Sequence, residues 1–115
     1  MKEDRGQENN NSKKKKEMSI QELQMLEQNL QNIFLQKQAF QIEMRETQAA
    51  LKELEKSGEE VFKIIGQLMI KTDKKEMKEE LVNKEKILDL RIRSFEKQEH
   101  TLSEKLSELQ TEILK

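Results

Sequence analysis

Apolar residues recur along two long segments of the chain at alternating spacings of three and four. This spacing is typical of a helix that buries one stripe against a partner helix. In each segment, eight of the ten stripe positions are apolar. The first stripe consists of Leu23, Leu26, Leu30, Ile33, Lys37, Phe40, Met44, Thr47, Leu51 and Leu54. The second consists of Leu81, Glu85, Leu88, Ile92, Phe95, Glu99, Leu102, Leu106, Leu109 and Ile113. The pattern predicts two coiled-coil helices, over about residues 17–56 and 74–114.

A short stretch between the two helices has a different pattern, and it predicts a β-hairpin over about residues 60–72. Residues 61–65 and 68–71 are rich in β-branched and other apolar side chains, which favour strands. Gly66 and Gln67 between them suit a two-residue type II′ turn, because glycine accepts the positive φ of the first turn position. The predicted fold class is therefore mainly α, an antiparallel helical hairpin with a β-hairpin at its connection.

Both faces of the predicted β-hairpin are apolar. The turn pairs Ile65 with Leu68 and Ile64 with Met69 across the two strands. Apolar side chains on one face are Val61, Ile65, Leu68 and Ile70, and those on the other are Phe62, Ile64 and Met69. An isolated two-stranded ribbon is marginal in water, and about a turn of helix cannot cover two faces and two edges. We therefore expect other subunits to complete this element.

Local signals mark where each helix ends beside the hairpin. Ser57 and Gly58 follow the first stripe, and Gly58 is able to adopt the left-handed conformation that often ends a helix. Asp73 is a plausible N-cap for the second helix, with Glu76 three residues later as in a capping box.

Charge predicts how the two helices align when the chain folds back on itself. An antiparallel alignment centred near Gly66 places Phe40 opposite Phe95 and Lys37 opposite Glu99. Sliding one helix by a heptad would place Lys37 against an apolar residue, and a buried lysine without a partner costs far more than a paired one. We therefore expect Lys37 and Glu99 to select the register. Other pairs in this alignment are Ile33 with Leu102 and Leu54 with Leu81.

Composition narrows the possible functions. Charged residues make up 39% of the 115-residue chain, with 33% hydrophobic residues and no proline, which is typical of a coiled coil and not of a globular core. A formal net charge of −1 offers no basic field for nucleic acid, and the absence of cysteine excludes thiol chemistry and fits a cytoplasmic protein. No apolar run of the sequence is long enough to predict a membrane span. A single histidine, His100, and three scattered glycines predict no metal, no cofactor and no enzyme activity.

The first sixteen residues differ in composition from the rest of the chain. Residues 1–16 carry three consecutive asparagines and four consecutive lysines, and they lack apolar periodicity. This composition predicts a disordered basic tail, followed by a single coiled-coil domain over residues 17–115.

The hairpin carries a resemblance to a known family. The run Val61-Phe62-Lys63-x-x-Gly66-x-Leu68-x-Ile70-Lys71, set between two heptad helices, resembles the β-type subunit of prefoldin, an archaeal and eukaryotic chaperone. The resemblance implies a hexamer of two α-type and four β-type subunits, in which the hairpins build a central β-barrel. It further implies that the coiled coils hold unfolded client proteins at their distal tips and pass them to a group II chaperonin without ATP hydrolysis.

Carried onto this chain, the resemblance implies two functional regions. Residues 61–71 are the assembly element, and apolar residues near both termini are the client-binding tips. The candidate tip residues are Leu23, Met25, Leu26, Leu106, Leu109, Ile113 and Leu114. Met25 and Leu114 lie outside the strict stripe, so we expect them to be more exposed than the four leucines at stripe positions. Linked weak contacts at several tips give useful avidity.

A second class of function fits the helices alone. A structural coiled-coil adaptor would form a homodimer and present a fixed surface to one partner. A simple parallel dimer has no use for a hairpin with two apolar faces, so the hairpin favours the chaperone. Suppression of the aggregation of unrelated denatured proteins distinguishes the two, since an adaptor would not do this.

Replacing both Lys37 and Glu99 with leucine tests whether this pair only selects the register. We expect the double variant to keep or raise the melting temperature followed by circular dichroism, because apolar side chains of similar size often replace an ion pair without loss. A large loss of stability in the double variant would contradict the prediction.

Overall fold

The computed structural model describes the backbone of residues 2–114 and the side chains of residue 17 and residues 19–114. Two long helices flank a two-stranded antiparallel sheet, which confirms the predicted fold class. The elements in chain order are α1 (Lys2–Lys56), β1 (Glu60–Ile65), β2 (Leu68–Asp73) and α2 (Lys74–Leu114). Over the residues described, neither helix contains a stretch long and apolar enough to cross a membrane.

The first helix begins earlier than predicted. It starts at Lys2, whereas the apolar stripe predicts a start at about residue 17. Extending an existing helix adds one hydrogen bond for each residue that is fixed, so it costs far less than starting a new helix. The first sixteen residues contain no proline that would stop this extension. The division at residue 16 between a tail and a domain stays a prediction.

Backbone contacts divide the chain into two units. The hairpin unit comprises Gln36–Ser94, and the terminal unit comprises Met1–Leu35 with Phe95–Lys115. Each unit contains part of both helices. The predicted pairs Lys37–Glu99 and Phe40–Phe95 have one member in each unit, so they stay predictions.

Stripe positions form the interior of the hairpin unit. Leu54 and Leu88 are buried, and Thr47 is also buried at its polar stripe position. The Thr47 hydroxyl donates a 2.8 Å hydrogen bond to the Glu43 carbonyl of its own helix, which satisfies it away from water. Leu54 and Leu81 line the same open groove, as the predicted register requires.

The terminal unit has a thinner interior. Leu109 is buried, whereas the other stripe residues of this unit are only half-buried. Ile33 and Leu102 line one open groove, in agreement with their predicted pairing. Exposed side chains of Lys97, Gln98 and Thr101 form the rest of that groove.

The β-hairpin has the predicted register and turn. Ile65 pairs with Leu68 and Ile64 with Met69, and the pairing continues to Glu60 with Asp73. Gly66 has a φ of 61°, whereas Gln67 does not share this positive φ. A positive φ at the first turn position alone corresponds to a type II′ turn. This turn matches the right-handed twist of the two strands, so the register follows from local sequence.

The end of the first helix differs from the prediction for Gly58. Gly58 does not have a positive φ, so the expected left-handed cap is wrong. Ser57 instead closes the helix, since its amide and its hydroxyl donate to the Leu54 carbonyl at 3.1 Å and 2.7 Å. The Lys74 ammonium donates to the carbonyls of Glu55 and Ser57 at 3.1 Å and 3.3 Å. Capping by a lysine of the second helix makes the left-handed turn unnecessary.

The second helix begins with the predicted N-cap. The Glu76 amide donates a 2.6 Å hydrogen bond to Oδ1 of Asp73. The Glu76 carboxylate accepts from the Thr72 hydroxyl at 3.1 Å, where a complete capping box would have it accept from the Asp73 amide. The Lys74 amide donates to the Glu59 carbonyl at 2.9 Å, which closes the base of the hairpin.

Alanine at the two glycines beside the strands should have opposite effects. A Cβ at Gly66 meets no atom within 4 Å, but the positive φ strains any L-residue, so we expect Gly66→Ala to destabilise the chain by about 1 kcal/mol. Gly58→Ala is the matched control, since its surroundings are equally open and its φ is not positive. It should be neutral or stabilise by about 0.5 kcal/mol. Urea unfolding measures both, and equal losses would contradict the assigned turn.

Candidate functional site

The most exposed apolar surface of the hairpin unit is the hairpin itself. Its apolar side chains other than Val61 are exposed, and five of them are between 54% and 73% exposed. These five are Phe62, Ile64, Ile65, Leu68 and Met69; Ile70 is less exposed. Contiguous apolar surface of this kind on a soluble protein marks an interaction site. The two strands are also the whole sheet, so each has one edge to which no strand of the described chain binds.

The two faces of the hairpin are covered to different extents. Residues that pair across the strands lie on the same face, so Val61 shares a face with Thr72, and Lys63 with Ile70. The side chains of Val61, Lys63 and Thr72 on this face are half-buried. Phe62, Ile64 and Met69 lie on the opposite face and are exposed. We name the face that carries Val61, Lys63 and Thr72 the covered face, and the face that carries Phe62, Ile64 and Met69 the open face.

The base of the hairpin packs against the neighbouring helix ends. Val61 and Phe62 line an open groove together with Leu54 of the first helix and Met77 and Leu81 of the second. This apolar packing partly covers the first two apolar residues of the strand. It does not reach the turn, where Ile65 and Leu68 stay exposed.

An ion pair joins the middle of the hairpin to the second helix. Nζ of Lys63 lies 2.9 Å from Oε1 of Glu80, and this contact is also a hydrogen bond. The hydrogen bond to Glu80 raises the pKa of Lys63, and the negative charges of Glu80 and Glu76 add to it, while burial acts in the opposite direction. Lys63 is therefore positively charged at neutral pH.

The candidate tip residues all lie in the terminal unit, and they differ in exposure. Met25 and Leu114 are 65% and 87% exposed, as expected for positions outside the stripe. Leu109 is buried, and the remaining candidates, Leu23, Leu26, Leu106 and Ile113, are half-buried. Ile20 is also exposed, although it lies outside the apolar stripe that begins at Leu23. Its position three residues before Leu23 is the signal that could have identified it as a further tip candidate.

Several exposed side chains were not predicted from the sequence. The exposed large apolar residues outside the hairpin and the candidate tips are, among the described residues, Ile20, Phe34, Leu35, Ile42, Ile87 and Leu90. Ile87 lines an open groove with Phe40, Leu88 and Arg91. The Arg91 guanidinium lies 5.4 Å from the centre of the Phe40 ring, a cation–π contact inside the hairpin unit.

The contacts that attach the hairpin to the helices were also not predicted from the sequence. Lys63 and Glu80 are 17 residues apart, and Lys74 is 19 residues from Glu55. Neither spacing corresponds to a helix or strand period, so no local pattern pairs these residues. They meet because of the angle at which the hairpin leaves the helices, which is a property of the packed unit.

Comparisons with known proteins agree on one family. Residues 17–115 match the family model described as prefoldin subunit. The prefoldin subunit beta of Thermococcus onnurineus is 42% identical over 94 residues, which cover 80% of this chain and 81% of that protein. The prefoldin subunit beta of Sulfurisphaera tokodaii is 38% identical over 93 residues, covering 79% and 74%.

A solved structure extends the similarity to the fold. The crystal structure of the prefoldin beta subunit from Thermococcus strain KS-1 superposes with a TM-score of 0.80 at 36% sequence identity. The match covers 86% of this chain and 89% of that one. The resemblance to the β type that the hairpin motif carries is thereby confirmed.

Proposed function

This chain belongs to the prefoldin subunit family, and we propose that it holds unfolded proteins as one of the β-type subunits of a hexamer. Prefoldin subunits are chaperones, not enzymes, and β subunits assemble with other prefoldin subunits. In this hexamer, two α-type subunits join four copies of this chain in the cytoplasm. The hexamer captures clients at the tips and delivers them to a group II chaperonin, without ATP hydrolysis.

The assembly step is supported by the exposure of apolar side chains on both faces of the hairpin. Phe62, Ile64 and Met69 on the open face are exposed, and Ile65 and Leu68 beside the turn are exposed as well. Burying a large apolar side chain stabilises by about 1.5–3 kcal/mol. An isolated subunit, which leaves five of them in water, is therefore less favourable than an assembly that buries them. Strands added from neighbouring subunits would pair the free edges, and closing the strands into a barrel would bury the side chains that point inward.

Client capture is proposed for the terminal unit. Met25 and Leu114 are exposed apolar side chains, and Ile20 adds a third on the same helix as Met25. The half-buried stripe residues of this unit, such as Leu23 and Leu106, are thinly covered, so local opening exposes them at small cost. Methionine adapts its shape to varied surfaces, which suits clients without a common sequence. Several such weak contacts act together within one hexamer.

Replacing two paired residues of the open face should prevent assembly. Ile64→Lys with Met69→Glu removes the apolar surface and keeps a favourable opposite-charge pair across the strands, so the hairpin itself should persist. Native mass spectrometry with an α-type prefoldin subunit from the same source should give a hexamer with four copies of the unaltered chain. The double variant should assemble at least about hundredfold more weakly.

Leu90→Glu is the matched control for this experiment. Leu90 is also an apolar residue of the hairpin unit, and it is 66% exposed, but it lies on the second helix. It should leave hexamer formation unchanged. A hexamer formed equally well by the double variant would contradict the role of the open face. A stable homodimer that ignores the α-type subunit would favour the adaptor.

Polar substitution at the two most exposed tip candidates should weaken client capture and leave assembly intact. Met25→Gln with Leu114→Gln keeps good helix formers and removes two apolar contacts from each of four subunits. We expect about fivefold more hexamer to be needed for half suppression of aggregation when two unrelated proteins are diluted from denaturant.

Leu90→Gln provides the control for client capture, since its exposure matches that of Met25 and it lies in the hairpin unit. Its hexamer should suppress aggregation as well as the unaltered one. Full activity of the Met25 and Leu114 double variant would contradict the assignment of the tips.

A further inference from the structure

We propose that the Lys63–Glu80 ion pair positions the hairpin for subunit assembly by holding its covered face against the second helix. This inference rests on the proposed function, because it concerns how that assembly element is presented. Lys63 lies in the middle of β1, and Glu80 lies in the second turn of α2. Their side-chain atoms meet at 2.9 Å.

The contacts at the base of the hairpin leave its outer half free to tilt. The Lys74 amide binds the Glu59 carbonyl, and the Thr72 hydroxyl binds Glu76, but both contacts lie where the strands meet the helices. Lys63 is three residues further along the strand than Glu60, so its ion pair acts about 10 Å further out at the rise of a β-strand. A contact at that distance restrains rotation of the ribbon more than one at its base.

The burial of Lys63 agrees with this arrangement. Its side chain is only 24% exposed, whereas Glu80 is 47% exposed, so the aliphatic part of Lys63 is largely covered while its ammonium bonds the Glu80 carboxylate near the surface. Lysine on a solvated strand would extend its charge into water. Held in this way, the covered face turns towards the helix, and Ile64 and Met69 of the open face turn away from it.

The positive charge of Lys63 keeps this restraint in place around neutral pH. The folded-state pKa of Lys63 is raised by its hydrogen bond to Glu80, with smaller effects from the charges of Glu80 and Glu76. The contribution of a group with a raised pKa is fully present below its unfolded-state pKa and is lost as pH rises through the folded-state pKa. Lys63 therefore carries its positive charge at neutral pH and loses it only in alkali.

Stability and assembly should respond differently when the pair is removed. Partly exposed ion pairs contribute little to folding free energy, because water screens them and two side chains must be ordered. An incorrect hairpin angle, however, misaligns the strands that must pair with neighbouring subunits. The effect of neutralisation should consequently appear in assembly, while the melting temperature of the isolated chain hardly changes.

A second ion pair of the hairpin unit offers a matched control. Nζ of Lys84 lies 3.2 Å from Oε1 of Glu43. Lys84 belongs to α2 and Glu43 to α1, so this pair joins the two helices and does not involve the hairpin. Its removal tests the effect of a lost ion pair in the same unit without loss of the contact between the hairpin and α2.

The experiment compares single neutralisations with a charge exchange in the full-length chain. The variants are Lys63→Gln, Glu80→Gln, the exchange Lys63→Glu with Glu80→Lys, and the controls Lys84→Gln and Glu43→Gln. Native mass spectrometry over a dilution series with the α-type prefoldin subunit from the same source gives the concentration for half assembly. Circular dichroism gives the melting temperature of each variant alone.

Each neutralisation of Lys63 or Glu80 should raise the concentration for half assembly about fivefold. The exchange should restore assembly to within about twofold of the unaltered chain, because it recreates the ion pair with reversed polarity. The controls should stay within about twofold, and all melting temperatures should agree within about 2 °C. Rescue by the exchange would not occur if the two residues acted only through their individual packing.

Three results would overturn the inference while leaving the proposed function in place. These are unaltered assembly of the Lys63→Gln and Glu80→Gln variants, losses that the exchange does not restore, and equal losses in the Lys84→Gln and Glu43→Gln controls. Failure of the unaltered chain to assemble with the α-type subunit would instead overturn the proposed function, and the inference with it.

Discussion

A two-stranded ribbon with apolar side chains on both faces is the constraint on which the rest of this molecule depends. The helix ends cover only its base, where Val61 and Phe62 meet Leu54, Met77 and Leu81. Towards the turn, Ile65 and Leu68 stay in contact with water. The hydrophobic effect therefore favours association through this element, and the free strand edges provide the hydrogen-bonding groups that would direct it. In the proposed function, the exposed hairpin becomes the place where subunits join.

The helices contribute a support that is strongest beside this ribbon. The hairpin unit contains buried Leu54, Leu88 and Thr47, while Leu109 is the residue buried in the described part of the terminal unit. Polar contacts follow the same trend, since Ser57, Lys74 and Asp73 satisfy helix ends at the hairpin base. A firmly held base suits an element that must present its strands at one angle. A thinly covered terminal unit suits contacts with partners of variable shape.

Much of the fold could be predicted because it depends on local spacing. The alternation of three and four residues defines the helices, and Gly66 defines the turn, since only glycine accepts its φ of 61° without strain. The pairing of Ile64 with Met69 follows from that turn. Asp73 at the helix start follows from the demand of free amides for an acceptor. Each of these features is decided by residues only a few positions apart.

Tertiary structure decided how the elements attach to one another. Gly58 had the sequence of a left-handed cap, yet Lys74 and Ser57 supply the donors and the left-handed turn is absent there. Lys63 could have projected into water, but the angle of the hairpin brings it to Glu80. Heptad position predicted the exposure of Met25 and Leu114, but it did not distinguish buried Leu109 from half-buried Leu106. Local sequence determines which conformations each segment prefers, whereas burial and ion pairing depend on atoms that only the packed chain brings together.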